Sequence, residues 1–165
     1  MHVFITGVSS GIGWGLSKYY LSKGHQVYGL SRRVPEDLIQ NKNFHHIICD
    51  LTNFESIPEL IKSLLSKVSK IDLAILNAGI LGPIANMKDQ SLDDLTKVMN
   101  LNVWANKPII DTLLNTVPNT KKVVAISSGA AINGNKGWGG YSISKAALNM
   151  FIKLYASEND NTAFY

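Results

Sequence analysis

Five short apolar runs punctuate the chain, and longer stretches of alternating apolar and polar residues separate them. The runs are His2–Thr6, Gln26–Leu30, Phe44–Cys49, Leu73–Asn77 and Lys122–Ser127. They are rich in Val, Ile and Phe, which suit a buried pleated surface, so each is expected to be a β-strand. Helix-period patterns fall between them, near Gly13–Lys23, Ile57–Val68, Leu92–Asn115 and Tyr141–Ser157. Strands without a polar face, alternating with helices, predict an α/β fold: a doubly wound parallel sheet in three α/β/α layers, with right-handed crossovers. No repeat, low-complexity tract or Pro/Gly linker divides the chain, so residues 1–165 read as one domain.

Local features refine this picture. Pro35–Asn41 is expected to form a short helix, because proline suits the first helical position. Pro108 lies inside Leu92–Asn115 and predicts a kink or split there. In Tyr141–Tyr155 the apolar residues Ile143, Ala146, Ala147, Leu148, Met150, Phe151, Ile152 and Leu154 cover most of the circumference. An ordinary surface helix carries one apolar stripe. A second apolar face calls for a second partner, so the Tyr141–Ser157 helix is expected to pack on the sheet and on another subunit. Leu92–Asn115 reads the same way through Leu95, Val98, Leu101, Val103, Ile109, Ile110 and Leu113. A homo-oligomer, dimer or tetramer, is the expectation.

Composition narrows the class. Of 165 residues, 45% are apolar and 17% charged, enough for a packed core and too apolar for wholesale disorder. No apolar run approaches the roughly 18 residues of a membrane-spanning helix. Cys49 is the single cysteine, which excludes an internal disulfide framework and a cysteine-rich zinc site. In its apolar run it reads as a small buried hydrophobe. Met1 leads directly into a strand-like run, so no secretion signal is read and a cytoplasmic location is expected. The net charge of +4 comes from scattered lysines, which suits a basic soluble surface better than a nucleic-acid site. His45 and His46 are strand neighbours pointing to opposite faces. No carboxylate or cysteine cluster accompanies them, so no metal site is read there.

The first strand ends in Thr6-Gly7-Val8-Ser9-Ser10-Gly11-Ile12-Gly13. Glycines at such a turn allow positive φ, let the backbone approach a pyrophosphate and let the helix lie close to the strand. Amides at the helix N-terminus then favour the phosphate charge. The second strand ends in Ser31-Arg32-Arg33, where a dinucleotide fold meets the adenosine ribose. An acid there selects NAD, whereas an arginine pairs with a 2′-phosphate. NADP(H) is therefore the expected cofactor, ahead of NAD(H).

Tyr141-Ser142-Ile143-Ser144-Lys145 sets a phenol and an ammonium four residues apart on one helix face. A fixed cation beside a phenol stabilises its phenolate, which suits the pair to proton transfer at a carbonyl oxygen. Ser128 lies just past the fifth strand, at the end of a parallel sheet where ligands bind. Its hydroxyl can hold a carbonyl oxygen beside Tyr141, or it can simply open a loop. Trp138 can wall a substrate pocket or pack on its own loop.

These residues, in this order, resemble the classical branch of the short-chain dehydrogenases/reductases, whose fold is Rossmann-type. The resemblance covers essentially the whole chain. Thr6-Gly7-x-x-x-Gly11-x-Gly13 resembles the family's cofactor turn, and Asp50-Leu51 its adenine contact. Asn77-Ala78-Gly79 is similar to its Asn-Ala-Gly motif. Asn102, Ser128, Tyr141 and Lys145 are similar to its catalytic tetrad, with thirteen positions from Ser128 to Tyr141. The resemblance implies that Tyr141 is the acid–base and that Ser128 orients the carbonyl. It implies that Lys145 assists the tyrosine and holds the nicotinamide ribose, and that Asn102 keeps a water in a proton path to Lys145. It further implies that Gly7, Ser9, Ser10, Gly11, Ile12, Gly13, Ser31, Arg32, Arg33, Asp50, Leu51, Asn77, Ala78 and Gly79 contact the cofactor. Gly137-Trp138-Gly139-Gly140-Tyr141 also resembles the subgroup of benzil and sepiapterin reductases. That implies NADPH and a dicarbonyl or another activated ketone.

Thr162–Tyr165 reads as the start of a sixth strand. Members of the family continue from such a strand into a substrate loop and a seventh strand, so the sheet is expected to lack its C-terminal part. Two functions are therefore carried forward. The first is an NADP(H)-dependent reductase of a ketone or aldehyde. The second is a dinucleotide-binding or signalling module of the same fold with weak or no chemistry.

Overall fold

The computed structural model describes all 165 residues, 1–165. Its strands are β1 (His2–Thr6), β2 (Gln26–Ser31), β3 (Phe44–Ile48), β4 (Leu73–Leu76), β5 (Lys122–Ala125) and β6 (Ala163–Phe164). Its helices are α1 (Gly11–Ser22), α2 (Ile57–Leu64), α3 (Leu92–Met99), α4 (Asn106–Thr116) and α5 (Gly139–Glu158). The strands form one sheet in the order β3-β2-β1-β4-β5-β6, and every pair is parallel. This is the expected Rossmann-type doubly wound sheet, carried as far as the sixth strand.

The period-2 alternation of strands sorts the core into two layers. On β1, Phe4 faces one side with Leu30, Ala74 and Leu76, where Ile57 and Ile61 of α2, Ile109 and Leu113 of α4 and Leu148 of α5 cover it. Val3 and Ile5 face the other side with Val27, Phe44 and Ile75, under Leu21 of α1 and the loop residue Leu38. One face thus carries three helices and the other carries α1.

Two local expectations are corrected. Pro35–Asn41 forms consecutive turns in place of a helix. Its backbone bonds, such as Leu38 N–H to Pro35 O at 2.9 Å and Ile39 N–H to Pro35 O at 3.1 Å, do not propagate. Burial of Leu38 and a side-chain anchor on Asp37 hold the chain there instead. The Leu92–Asn115 pattern does break, but upstream of Pro108. Asn100–Trp104 is a π-helical turn, closed by Ala105 N–H to Asn100 O at 2.8 Å. Pro108 sits in the first turn of α4, where a missing N–H costs least. Its ring would crowd the carbonyl four residues earlier, on Trp104, where the wide turn ends.

The chain leaves β1 outward to β2 and β3, then returns to β4 on β1's other side. Ligands bind such sheets outside the carboxyl ends of the strands at this reversal. Cross-strand pairs Thr6↔Leu30 and Ile5↔Ile75 bring the ends of β1, β2 and β4 together there.

Candidate active site

A cleft of about 380 Å³ opens at this reversal. Its walls include Gly7, Ser9, Ser10, Gly11 and Ile12 of the glycine turn, Ser31, Arg32 and Arg33 after β2, Asp50 and Leu51 after β3, and Asn77, Ala78 and Gly79 after β4. Gly7 and Gly11 hold φ of 77° and 60°, the left-handed region that suits glycine. Gly13 is buried beneath the turn, outside the lining. A Cβ there would overlap the Gly7 carbonyl oxygen and Asn77 Nδ2, so only glycine lets α1 lie this close.

The floor is knitted by side chains. The Thr6 hydroxyl accepts N–H bonds from both Asn77 and Ala78 at 3.0 Å. Asn77 Nδ2 donates to Thr6 O at 2.9 Å. These bonds fix β1 against the loop after β4. Thr6 was visible in the sequence only as the first letter of the glycine turn. Its spanning role required knowing that β4 lies beside β1.

At the far end, Arg33 Nη2 donates to Ser10 Oγ at 3.4 Å across the mouth of the cleft. Asp50 Oδ1 accepts from the backbone N–H and the hydroxyl of Thr52, at 2.9 and 2.8 Å. Those two bonds, with the nearby Arg32 charge, hold the Asp50 carboxyl below its usual range. Ser31 is buried, and its hydroxyl donates to Arg33 O at 2.7 Å, so that proton is engaged within the protein. Cys49 is buried in the cleft wall, and desolvation, with the neighbouring Asp50 charge, pushes its thiol up to about 11.

The second centre adjoins the cleft through Gly79. A Cβ on Gly79 would lie 3.1 Å from Asn102 Oδ1 and 3.8 Å from Lys145 Nζ. Asn102 is 1% exposed. Its Oδ1 accepts from Ile80 N–H at 2.8 Å, while its Nδ2 donates to Ile80 O and to Ser144 Oγ, both at 2.9 Å. Ser144 in turn donates to Tyr141 O at 2.7 Å. Asn102 therefore clasps the loop after β4 onto α5. Ser144, three residues beyond Tyr141 on the same helix, was not singled out in the sequence.

Lys145 is 5% exposed, and Nζ donates to Ile126 O at 2.6 Å. It also lies 5.6 Å from the centroid of the Tyr141 ring. Burial lowers the ammonium's pKa from its ordinary range. An ammonium has three N–H donors, so two remain for a ligand, a water or a phenolate. Ser128, two residues beyond Ile126, caps a short 3₁₀ turn and accepts from Ala130 N–H at 3.1 Å. Its own hydroxyl proton stays available. Trp138 packs edge-on against Tyr141 at 5.9 Å, which favours a loop-packing role while leaving it beside the phenol. His45 and His46 diverge as expected, to Gln26 Oε1 and Ser31 Oγ, each at 2.9 Å.

Comparison with known proteins decides the family. The family described as short chain dehydrogenase matches residues 1–163. The chain belongs to the short-chain dehydrogenase family. Its relatives include the benzil reductase ((S)-benzoin forming) of Bacillus subtilis, 38% identical over 95% of this chain and 67% of that protein. A short-chain dehydrogenase/reductase from Saccharomyces cerevisiae superposes with a TM-score of 0.89, at 29% identity over 98% of this chain and 68% of that one. A short-chain dehydrogenase from Shigella flexneri, solved in complex with NADP, gives 0.88 at 26% identity over 98% and 73%. The chain spans about two thirds of the length of the curated relatives it matches. It is an oxidoreductase-family chain with the family's fold. Among its helices, none is long and apolar enough to cross a membrane.

Proposed function

We propose that this chain carries the cofactor site and the proton-transfer site of an NADP(H)-dependent reductase of ketones or aldehydes. Activated ketones such as dicarbonyls are the first class to test, given the likeness to a benzil reductase. The observation that carries the reading is Lys145: a buried ammonium with one protein partner, beneath a tyrosine ring and beside the glycine-lined cleft.

The residues present fit a dinucleotide. Gly11, with open space where a Cβ would stand, lets a pyrophosphate approach the start of α1, while Gly7 shapes the turn with its N–H bonded to Leu30 O. Arg32 and Arg33 flank the place of the adenosine ribose and supply charge for a 2′-phosphate. Ile12 borders the pyrophosphate turn at the start of α1, Asp50 and Leu51 border the adenosine end, and Asn77, Ala78 and Gly79 lead toward Lys145. A nicotinamide dinucleotide bound there supplies the hydride.

The chain's own residues do the rest. Tyr141 gives its phenolic proton to the carbonyl oxygen during reduction and takes it back in the reverse direction. Lys145 stabilises the resulting phenolate charge and offers its spare donors to the ribose. Ser128 donates its free hydroxyl proton to the same carbonyl oxygen. Asn102 keeps Ile80 and α5 in register beneath them. The half-exposed Ile143, Met150 and Leu154 on α5 form the bare second apolar face, which supports a homo-oligomer through α5; Val98, Val103, Ile109, Ile110 and Leu113 of the α3–α4 segment are instead buried within this chain and offer no such face.

The test is NADPH consumption against a panel of diketones, quinones and aldehydes, using the longest native form of the chain. Tyr141→Phe is expected to cut turnover by at least about 100-fold while leaving NADPH affinity nearly unchanged. Turnover at the wild-type rate in that variant would remove Tyr141 from the chemistry. Tight NADPH binding with no oxidation by any carbonyl would favour the non-catalytic module.

A further inference from the structure

The segment carrying Arg32 and Arg33 has no helix and, beyond Ser31, no strand of its own. A segment built of turns has no ladder to fix the direction of two long guanidinium side chains. Two side-chain anchors supply what the backbone does not; their outer members, His46 and Trp14, lie outside the cleft lining.

The first anchor is a relay. Ser31 Oγ donates to Arg33 O at 2.7 Å and lies 2.9 Å from His46 Nε2. A hydroxyl has a single proton. With that proton on Arg33 O, the Ser31 oxygen must accept, so His46 carries hydrogen on Nε2. The imidazole stands on β3 with its partner Gly29 on β2, stacked on Phe44 at 6.0 Å. Burial keeps its pKa below the ordinary histidine value.

The second anchor grips the segment five residues later. Trp14 Nε1 on α1 donates to both carboxylate oxygens of Asp37, at 3.0 and 3.1 Å. The adjacent Leu38 is buried in the α1-side core, where the Trp14 ring also packs. This bond keeps a carboxylate on the α1 side. Released, Asp37 becomes a mobile anion close in sequence to Arg33 and a competitor for it.

We infer that His46 and Trp14 are positioning residues that hold Arg32 and Arg33 in the shape that receives a 2′-phosphate. They thereby set the preference for NADP(H) over NAD(H) without contacting the dinucleotide. The inference rests on the NADP(H) reading above and extends it to residues outside the cleft.

The experiment titrates 2′,5′-ADP and 5′-AMP calorimetrically. These probes differ only in the 2′-phosphate and need neither nicotinamide nor turnover. The proteins are wild type, His46→Ala, His46→Gln and Trp14→Phe, each checked for an unchanged circular dichroism spectrum. Trp14→Phe keeps the ring packing and removes the donor, so it tests the inference even where His46→Ala folds poorly. Wild type is expected to favour 2′,5′-ADP. His46→Ala and Trp14→Phe are each expected to lose about three- to tenfold affinity for 2′,5′-ADP, the range of one lost hydrogen bond, with 5′-AMP affinity held within about twofold. His46→Gln, whose amide can donate to Ser31, is expected to regain most of the loss. Equal losses for both probes, or no rescue by glutamine, would reduce His46 to a structural residue and overturn the inference. A wild-type preference that survives unchanged in every variant overturns the inference alone. A wild type that binds both probes equally overturns the NADP(H) reading and the inference together.

Discussion

Replacing Gly13 by alanine tests how closely α1 must lie on the end of β1. A Cβ at Gly13 would stand 2.9 Å from the Gly7 carbonyl carbon, and nearer still to the Gly7 oxygen and Asn77 Nδ2. Carbon atoms rest at about 3.5–4.0 Å, so the clash is of the order of 1 Å and involves backbone that cannot swing aside. Overpacking of this kind costs about 1–3 kcal/mol. Pushing Asn77 away also strains its 2.9 Å bond to Thr6 O, worth about 0.5–1.5 kcal/mol. Against this stands the helix gain of alanine over glycine, about 0.5–1 kcal/mol. The net expectation is a loss of about 1–3 kcal/mol. Gly15, two residues on in the same helix, is exposed and meets nothing within 4 Å. Gly15→Ala therefore keeps the helix gain without the clash and is expected to stabilise by about 0.5–1 kcal/mol. Urea denaturation at constant m-value reads the pair directly, since a shift in midpoint alone is a change in stability. A Gly13→Ala protein as stable as Gly15→Ala would refute the close-approach argument for this turn.

Three further outcomes are expected. Lys145→Met should abolish carbonyl turnover with little net change in stability, because removing a desolvated charge offsets the loss of its bond to the Ile126 carbonyl. The lowered pKa of Lys145 reflects that desolvation: the charged form is penalised at neutral pH and the penalty is relieved as pH rises toward 10.5; a clear drop in the thermal midpoint would contradict it. Asn102→Leu should cost about 2–4 kcal/mol by stranding the N–H and C=O of Ile80, read as a lower urea midpoint. Asp72 accepts His2 N–H at 2.8 Å and sits near Lys70 and Lys121, so its carboxyl is held below 3.8. Its stabilising effect is present above pH 3.8 and lost as pH falls through the lowered value, so Asp72→Asn should flatten the acid limb of a thermal-midpoint-against-pH curve.

The unbroken apolar run of Val3, Phe4 and Ile5 was enough to place β1 between two layers, and the five apolar runs all became strands. The glycine turn, the Arg32–Arg33 pair and Tyr141 with Lys145 were legible because their chemistry depends on short-range spacing. What escaped depends on contacts across the fold. His46 looked inert because its partner Ser31 lies fifteen positions back, and Asp37 sat in a stretch expected to be helical. The break before α4 was assigned to Pro108, yet a π turn carries no compositional mark that separates it from an α-helical segment. Ser144 was hidden for the same reason: its meaning comes from Asn102, on another helix.

The central place of β1 has a price during synthesis. Val3 must pair with Val27 on one flank and with Leu73 on the other, yet these partners leave the ribosome at different times. At about 5–20 residues per second, the gap between β2 and β4 leaves one flank of β1 bare for roughly 2–10 s. A bare apolar strand edge is a template for wrong partners. The Thr6 hydroxyl likewise gains its two amide donors only after Asn77 and Ala78 have emerged, so the end of β1 stays untied during that interval. Translation speed over residues 32–72, or a holdase acting there, should therefore govern how much of the newborn chain reaches its native form.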